Sequence, residues 1–522
     1  MNKLKHFIQI FVVGWATLML DSCSKDQIEA TPNEPTVTSQ ISISTETNVV
    51  SEPSMNGVFK IALTKAVDKL TTVNYTISGS ATNGSDYKAL DTKISIPANT
   101  ISIVIPIEVY EDTESEDNET ITLTLINTNN PQVTLSPAKS AMITISANTA
   151  SFTLLPGETS AYMVNPNATN ETVALFYNLK TLSKTNYIVG QHDAFSSFYR
   201  DVGGDSDIKK TTGSDPALLG SDFMFITDDA NTGTTTNWYY QQEQAIKQHV
   251  IEAYNKGMVN IFAWHFREPF EGKEFYTSQM TNFQKQNAFK SILPGGSNHD
   301  YYKSKLDKIA EIANSLIDSN GNLIPFIFRP FHEFDGDWFW WGAPYCTPQE
   351  FITLWQFTVE YLRDVQSVNN ILFAYSPDNK FTTESEYLNH YPGDAYVDVL
   401  GMDNYGDFIS MTQMGVDDAN KKLKIISDLA IQKVKLAALT ESGYFVEPGV
   451  TDPDPQFYSK NLYQALTNND VELSFMMFWN NSKDRYCTPP PGESTTGDFI
   501  LFANKQESLL QNEIPDLYAL PL

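Results

Sequence analysis

Two carboxylates stand in surroundings that suit acid–base chemistry. Glu333 lies in Phe328-Arg329-Pro330-Phe331-His332-Glu333-Phe334-Asp335-Gly336-Asp337-Trp338-Phe339-Trp340-Trp341-Gly342, with a histidine before it and three tryptophans close behind. A carboxyl enclosed by aromatic rings resists ionisation, so it can hold a proton and donate it. Glu441 ends a short apolar run in Leu439-Thr440-Glu441-Ser442-Gly443. Cleavage of a glycosidic bond needs a proton donor for the leaving oxygen, and either a nucleophile or a base for water. Glu333 fits the acid/base and Glu441 the nucleophile. An ionised Glu441 close by would itself raise the pKa of Glu333.

The elements that must position this pair are legible as alternating short apolar runs and helical patterns, the grammar of βα units around a parallel sheet. Eight runs end in polar or aromatic residues. Tyr187–Gly190 leads to His192 and Asp193, Phe223–Ile226 to Asp228 and Asp229, and Val259–Trp264 to His265 and Arg267. Ile324–Phe328 leads to His332 and Glu333, Ile371–Tyr375 to Asp378, and Val397–Met402 to Asp403 and Tyr405. Leu436–Thr440 leads to Glu441, and Leu473–Phe478 to Trp479 and Asn480. One such residue is usually a turn or cap; eight in series point to the C-terminal mouth of a (β/α)8 barrel over residues 161–522. Between the runs, Thr347-Pro348-Gln349-Glu350 reads as a capping box with proline at the first helical position. Leu306, Ile309, Ala310, Ala313, Leu316 and Ile317 form a helical stripe, and Glu243 to Lys256 stops at Gly257.

Residues 41–147 follow a period of two instead. Phe59, Ile61 and Leu63 alternate, as do Val73, Tyr75 and Ile77, then Ile101 to Val109, Ile121 to Leu125, and Ile143 and Ile145. This is the pattern of half-buried strands, and turn-rich segments between them predict a sandwich of about seven. Residues 23–40 and 148–160 read as linkers. The segment Gly79 to Tyr87, with Ile94 to Thr100 and Glu111 to Glu114 before Glu119, resembles a Calx-β domain. Some domains of that family bind calcium, and Asp86, Asp112, Glu114 and Glu119 are the carboxylates available for it; a solvated acidic loop is the preferred reading. The module is expected to be a spacer or a weak glycan binder.

Residues 1–22 carry Lys3, Lys5 and His6 before an apolar stretch from Phe7 to Leu20. The stretch is shorter than a membrane span and reads as a secretory signal. Leu20-Asp21-Ser22-Cys23 resembles a bacterial lipobox, with Asp21 unusual in it, so Cys23 is the expected lipidation site. The expected address is the outer membrane, facing outward, with simple secretion as the alternative. Cys346 and Cys487 are expected to be free thiols. The 522 residues carry a net charge of −28, which argues against nucleic acid as a partner and tolerates a neutral polysaccharide. Tyrosine (25) and tryptophan (8) suit both sugar stacking and a large core.

The barrel resembles glycoside hydrolase family 26. The motif around Glu333 carries the likeness, with Gly190-Gln191-His192-Asp193, Trp264-His265, Leu293-Pro294-Gly295-Gly296-Ser297, Tyr391-Pro392-Gly393-Asp394, Val397 to Tyr405 and Thr440-Glu441-Ser442-Gly443. The resemblance implies a retaining enzyme with its acid/base on strand four and its nucleophile on strand seven. It implies that His332 bonds near the reactive sugar, that Tyr405 orients the nucleophile, that Trp338 and Trp479 stack on sugars, and that His265 lines a minus-side subsite. His192 and Trp341 complete the expected substrate contacts, although Trp340 and Trp341 also suit a core. The implied ligand is a β-mannan-type polysaccharide or oligosaccharide, with xylan or mixed-linkage glucan as alternatives. Asn480 stands where many members have arginine and Glu268 where many have asparagine, which leaves endo and exo action open; Phe334-Asp335 replaces a common Met-Asn. His192, His265 and His332 converge at the mouth, but two well-placed glutamates make a metal redundant, so no metal or cofactor is expected. The chain is expected to be monomeric. A surface glycan-binding protein that lost catalysis is the rival reading, and retention of both glutamates speaks against it.

Overall fold

The computed structural model describes residues 39–47, 49–50, 57–110, 118–146, 154–409, 412–447 and 454–521. The signal segment with Cys23, and Asp112 and Glu114, lie outside the described residues. The chain divides into two units, residues 1–152 and 153–522.

The first unit is all β. Its strands are β1 (Ser39–Thr47), β2 (Val49–Val50), β3 (Gly57–Leu63), β4 (Thr71–Ser78), β5 (Lys93–Ile96), β6 (Ser102–Ile107), β7 (Glu119–Thr128), β8 (Val133–Leu135) and β9 (Ser140–Ile145). They form a four-stranded sheet, β6-β3-β1-β8, and a five-stranded sheet, β2-β9-β7-β4-β5. Alternate residues such as Phe59, Ile61, Val73, Tyr75, Ile121 and Leu123 are buried and share one core. Strand β1 begins inside the segment read as a linker. The extra strands β2 and β8, two and three residues long, are too short for alternation to reveal. Asp86 closes its own turn by accepting from the Thr82 backbone N–H at 2.5 Å.

The second unit is a closed barrel of eight parallel strands: β10 (Tyr187–His192), β11 (Leu218–Asp222), β12 (Val259–Ala263), β13 (Phe326–Arg329), β14 (Ile371–Tyr375), β15 (Val399–Asp403), β16 (Leu436–Ser442) and β17 (Phe475–Phe478). Strand β10 pairs with both β17 and β11 and closes the ring. A short β18 (Ser508–Leu509) adds to β10. The second barrel strand is therefore residues 218–222, not the apolar run 223–226. Gly220, Ser221 and Asp222 are weak strand formers, whereas Phe223 leaves the strand to stack on Phe262 at 4.3 Å. Glycine is required at 220, since a Cβ there would fall 2.7 Å from His192 Nδ1.

The helical reading holds with shifted ends. Thr347 and Glu350 form the reciprocal cap of the helix Pro348–Glu360. The stripe lies on His299–Ser315, which leaves Ile317 beyond the helix and exposed. The helix Trp238–Asn255 begins earlier than read, and Gly257 follows it at φ +79°. The expected linker 148–160 is partly structured: Pro156–Tyr162 is a 3-10 helix that buries Thr159.

Candidate active site

The site is built on one buried arginine. Arg329, the last residue of β13, is 0% exposed. One guanidinium nitrogen donates to Asp403 at the end of β15, and the other to Glu441 Oε2 on β16 at 2.5 Å. Asp403 also accepts from Ser376 Oγ at 2.9 Å and Thr440 Oγ1 at 2.8 Å. Burial pushes the Asp403 carboxyl up, while Arg329 and these hydroxyls pull against it. Tyr405 Oη donates to Glu441 Oε1 at 2.9 Å. Each oxygen of Glu441 thus faces a fixed donor, one of them cationic, and a charge-assisted bond of this kind is among the stronger ones that can orient a carboxyl.

Glu333 follows β13 in a strained turn. Its φ is +54° and that of Phe331 is +52°, conformations that cost about 1–3 kcal/mol each in non-glycine residues and persist only when their surroundings hold them. The Glu333 backbone N–H is fixed to the Ser376 carbonyl at 2.9 Å. Its Oε2 accepts from Trp338 Nε1 at 2.5 Å. Burial, then the charges of Glu441, Asp403 and Asp378, hold the Glu333 carboxyl well above its ordinary range, with the Trp338 bond pulling the other way. Burial, then Arg329 and the neighbouring histidines, hold His332 well below its usual value, so it is a neutral imidazole at pH 7.

Glu333, Glu441, His332, Trp338, Tyr405 and Trp479 line one cavity of about 420 Å³. A second, of about 400 Å³, adjoins it through His265, Tyr276 and Trp479. His265 Nδ1 is tied to Asp222 Oδ2 at 2.5 Å. The two carboxyls at one cavity, one buried with its pKa pushed well up and one held by donors, are the constellation of a glycoside hydrolase.

The sequence pattern of glycosyl hydrolase family 26 matches residues 164–472, and that of the Calx-beta domain matches residues 35–149. The chain belongs to glycosyl hydrolase family 26. The mannan endo-1,4-beta-mannosidase of Bifidobacterium adolescentis is 35% identical over 360 residues, which are 66% of this chain and 35% of that protein. The chain therefore spans about a third of that relative's length. Among solved structures, GH26C from a Muricauda species is 62% identical with a TM-score of 0.70, covering 71% of this chain and 99% of that one. A family 26 β-mannanase from Bacteroides ovatus is 30% identical with a TM-score of 0.59, covering 67% and 98%.

Within this family 26 barrel, Trp341 is not among the cavity-lining residues. It is 0% exposed, donates to the His332 carbonyl at 2.7 Å and backs Phe339. Its bulk supports the His332 turn, because one face of that aromatic run must pack inward. His192 lines the second cavity but stacks on Trp479 at 4.2 Å, so it fixes that ring. Glu268 is fully buried and accepts from the backbone N–H groups of Phe270 and Glu271, a loop anchor rather than a cavity-lining group. Asn480 does line the second cavity. Asp335 accepts from the Asp378 N–H at 2.6 Å and so holds the loop that carries Asp378 to the catalytic cavity. Cys346 and Cys487 are both buried and unpaired with one another.

Arg329, Asp222 and Asp378 carry or shape the site; the sequence placed Asp378 at the barrel mouth without a role of its own, and gave Arg329 and Asp222 none. Arg329 had a signal, a cation at the very end of an apolar strand. Asp222 was hidden by the displaced second strand. His332, Asp403 and Glu441 place one ligand atom each within 4.8 Å of one another. The Arg329 cation already bridges two of these three.

Proposed function

We propose that the chain is a retaining β-1,4-mannan hydrolase. The observation that carries this is the contrast between the two carboxyls at one cavity: Glu333 buried with its pKa pushed well up, Glu441 gripped by Arg329 and Tyr405. The names of the relatives support mannan as substrate. In the first step Glu441 attacks the anomeric carbon while Glu333 gives its proton to the leaving oxygen. A sugar ester on Glu441 forms and the alcohol departs. In the second, Glu333, now ionised, takes a proton from water as that water attacks the same carbon and frees Glu441. His332, neutral, is available to hydrogen-bond a sugar hydroxyl, and Trp338 and Trp479 offer faces to the sugar rings beside the cleaved bond.

Purified protein incubated with galactomannan, glucomannan, xylan and mixed-linkage glucan is expected to shorten the two mannans. Glu333→Gln and Glu441→Ala are each expected to lower kcat by about 10³-fold or more. Cleavage of xylan or mixed-linkage glucan alone would move the substrate class; cleavage of none would leave a glycan-binding protein. Activity that survives Glu441→Ala would end the double-displacement mechanism. We further propose a lipid anchor at Cys23 in the outer membrane, supported by the basic and apolar leader before it. Labelled palmitate is expected to enter the wild-type chain but not Cys23→Ala.

A further inference from the structure

The cavity that adjoins the catalytic one is walled by the helix Trp238–Asn255, which presents Gln242, Ala245, Ile246 and His249 to it. These residues recur at three- and four-residue spacing and so share one helix face. Four residues before Gln242 the same face reaches Trp238, the first residue of the helix. Its ring lies edge-on to Phe225, with centroids 5.0 Å apart at 77°, and Phe225 itself lines the cavity. Tyr239 packs against both rings, at 5.1 and 6.2 Å. Trp238 is nevertheless 51% exposed.

The ring is held in place. The Asn237 side chain accepts from the Tyr240 N–H at 3.0 Å and donates to the Ala230 carbonyl at 2.9 Å, and Gln241 donates to the Thr235 carbonyl at 2.9 Å. These bonds tie the preceding loop to the first turn of the helix. A tryptophan fixed at the rim of a cavity with half its surface in water gains little from the core. It does offer an apolar face and an indole N–H, which match the C–H face and hydroxyls of a sugar. From His249 to Trp238 the helix runs about 16 Å at 1.5 Å per residue, so the wall extends well past the shared residues.

We infer that Trp238 is the platform of a distal sugar subsite, taking a ring of a β-1,4-linked pyranose chain beyond those held beside Glu333 and Glu441. The inference rests on the proposed function and deepens it: a chain that runs on along this helix is gripped in its interior, which favours cleavage within long chains. The test measures binding by calorimetry in the inactive Glu333→Gln background. Manno-, gluco- and xylo-hexaose are titrated, and the tightest series supplies its trisaccharide as the short ligand. Adding Trp238→Ala is expected to weaken the hexasaccharide roughly threefold to tenfold and leave the trisaccharide unchanged. Trp238→Phe is expected to recover part of the loss. An unchanged hexasaccharide affinity, or equal losses on both lengths, would overturn the platform. A gluco or xylo series that binds best would overturn mannan as the substrate while the same comparison still decides on Trp238. If no hexasaccharide binds, both readings fall.

Discussion

At the scale of single residues, the site depends on how many charges Arg329 reconciles. Two carboxylates and one guanidinium share a buried space. Removing the cation would leave Asp403 and Glu441 facing each other without it, a loss typically costing about 3–5 kcal/mol. Arg329→Met is therefore expected to lower the melting temperature sharply, and to lower kcat as well because Glu441 loses a donor; thermal denaturation and initial rates measure the two. Asp378 gives a subtler effect. Burial, then the charge of Asp335, pushes its carboxyl up to about 6. Because the folded value lies above the unfolded one, the folded state retains the proton longer, and stability is lost as pH rises from about 4 to 6. In Asp378→Asn that loss is absent, so the variant is expected to gain in melting temperature on the wild type across this window. The ionised Asp378 also helps keep Glu333 protonated. Its removal is expected to move the alkaline limb of the kcat/KM profile to lower pH, and an unmoved limb would mean that Glu333 does not feel this charge.

At the scale of elements, the loop after β13 positions Glu333, the proposed acid, at the cavity. Gly336 lets it fold back, since a Cβ there would fall 2.6 Å from the Trp338 ring. Gly336→Ala has no backbone penalty of the left-handed kind, so its effect must come from moving that ring and its bond to Glu333. A displacement near 1 Å at a reacting group can cost about 10²-fold. A fall in kcat of that order is expected, with unchanged far-ultraviolet dichroism and altered tryptophan fluorescence. What the sequence revealed here and what it concealed have separate causes. Both glutamates stood out as candidates because a charged residue at the end of an apolar run is locally anomalous, Glu333 the more so for the aromatics that follow it. Strands β12 and β14 were legible because their apolar runs coincide with the strands. Strand β11 was not, because its glycine and aspartate serve His192 at the end of β10 and His265 just beyond β12. The Arg329 bridge was not either, because it joins the ends of three strands that meet only in the closed barrel.

At the scale of the whole molecule, two units have separate cores. The sandwich core is gathered around Phe59, Tyr75 and Leu123, and the barrel core around residues such as Phe262, Trp264 and Phe328. Every side chain assigned here to the catalytic cavity, and the distal Trp238, belongs to the second unit. A closed barrel of more than 300 residues buries enough apolar surface to fold without help from a small β-domain. A fragment of residues 153–522 is therefore expected to unfold in one cooperative transition and to keep the full chain's kcat/KM on soluble oligosaccharides within about twofold. If the sandwich works as a glycan binder, its loss is expected to show only on insoluble mannan, as slower release of product at low enzyme concentration, where capture of the surface limits the rate. Equal loss on soluble and insoluble substrates would instead mean that the first unit supports the catalytic fold itself. Calorimetric scans of the fragment separate these outcomes, because a destabilised barrel would melt earlier whatever substrate is supplied.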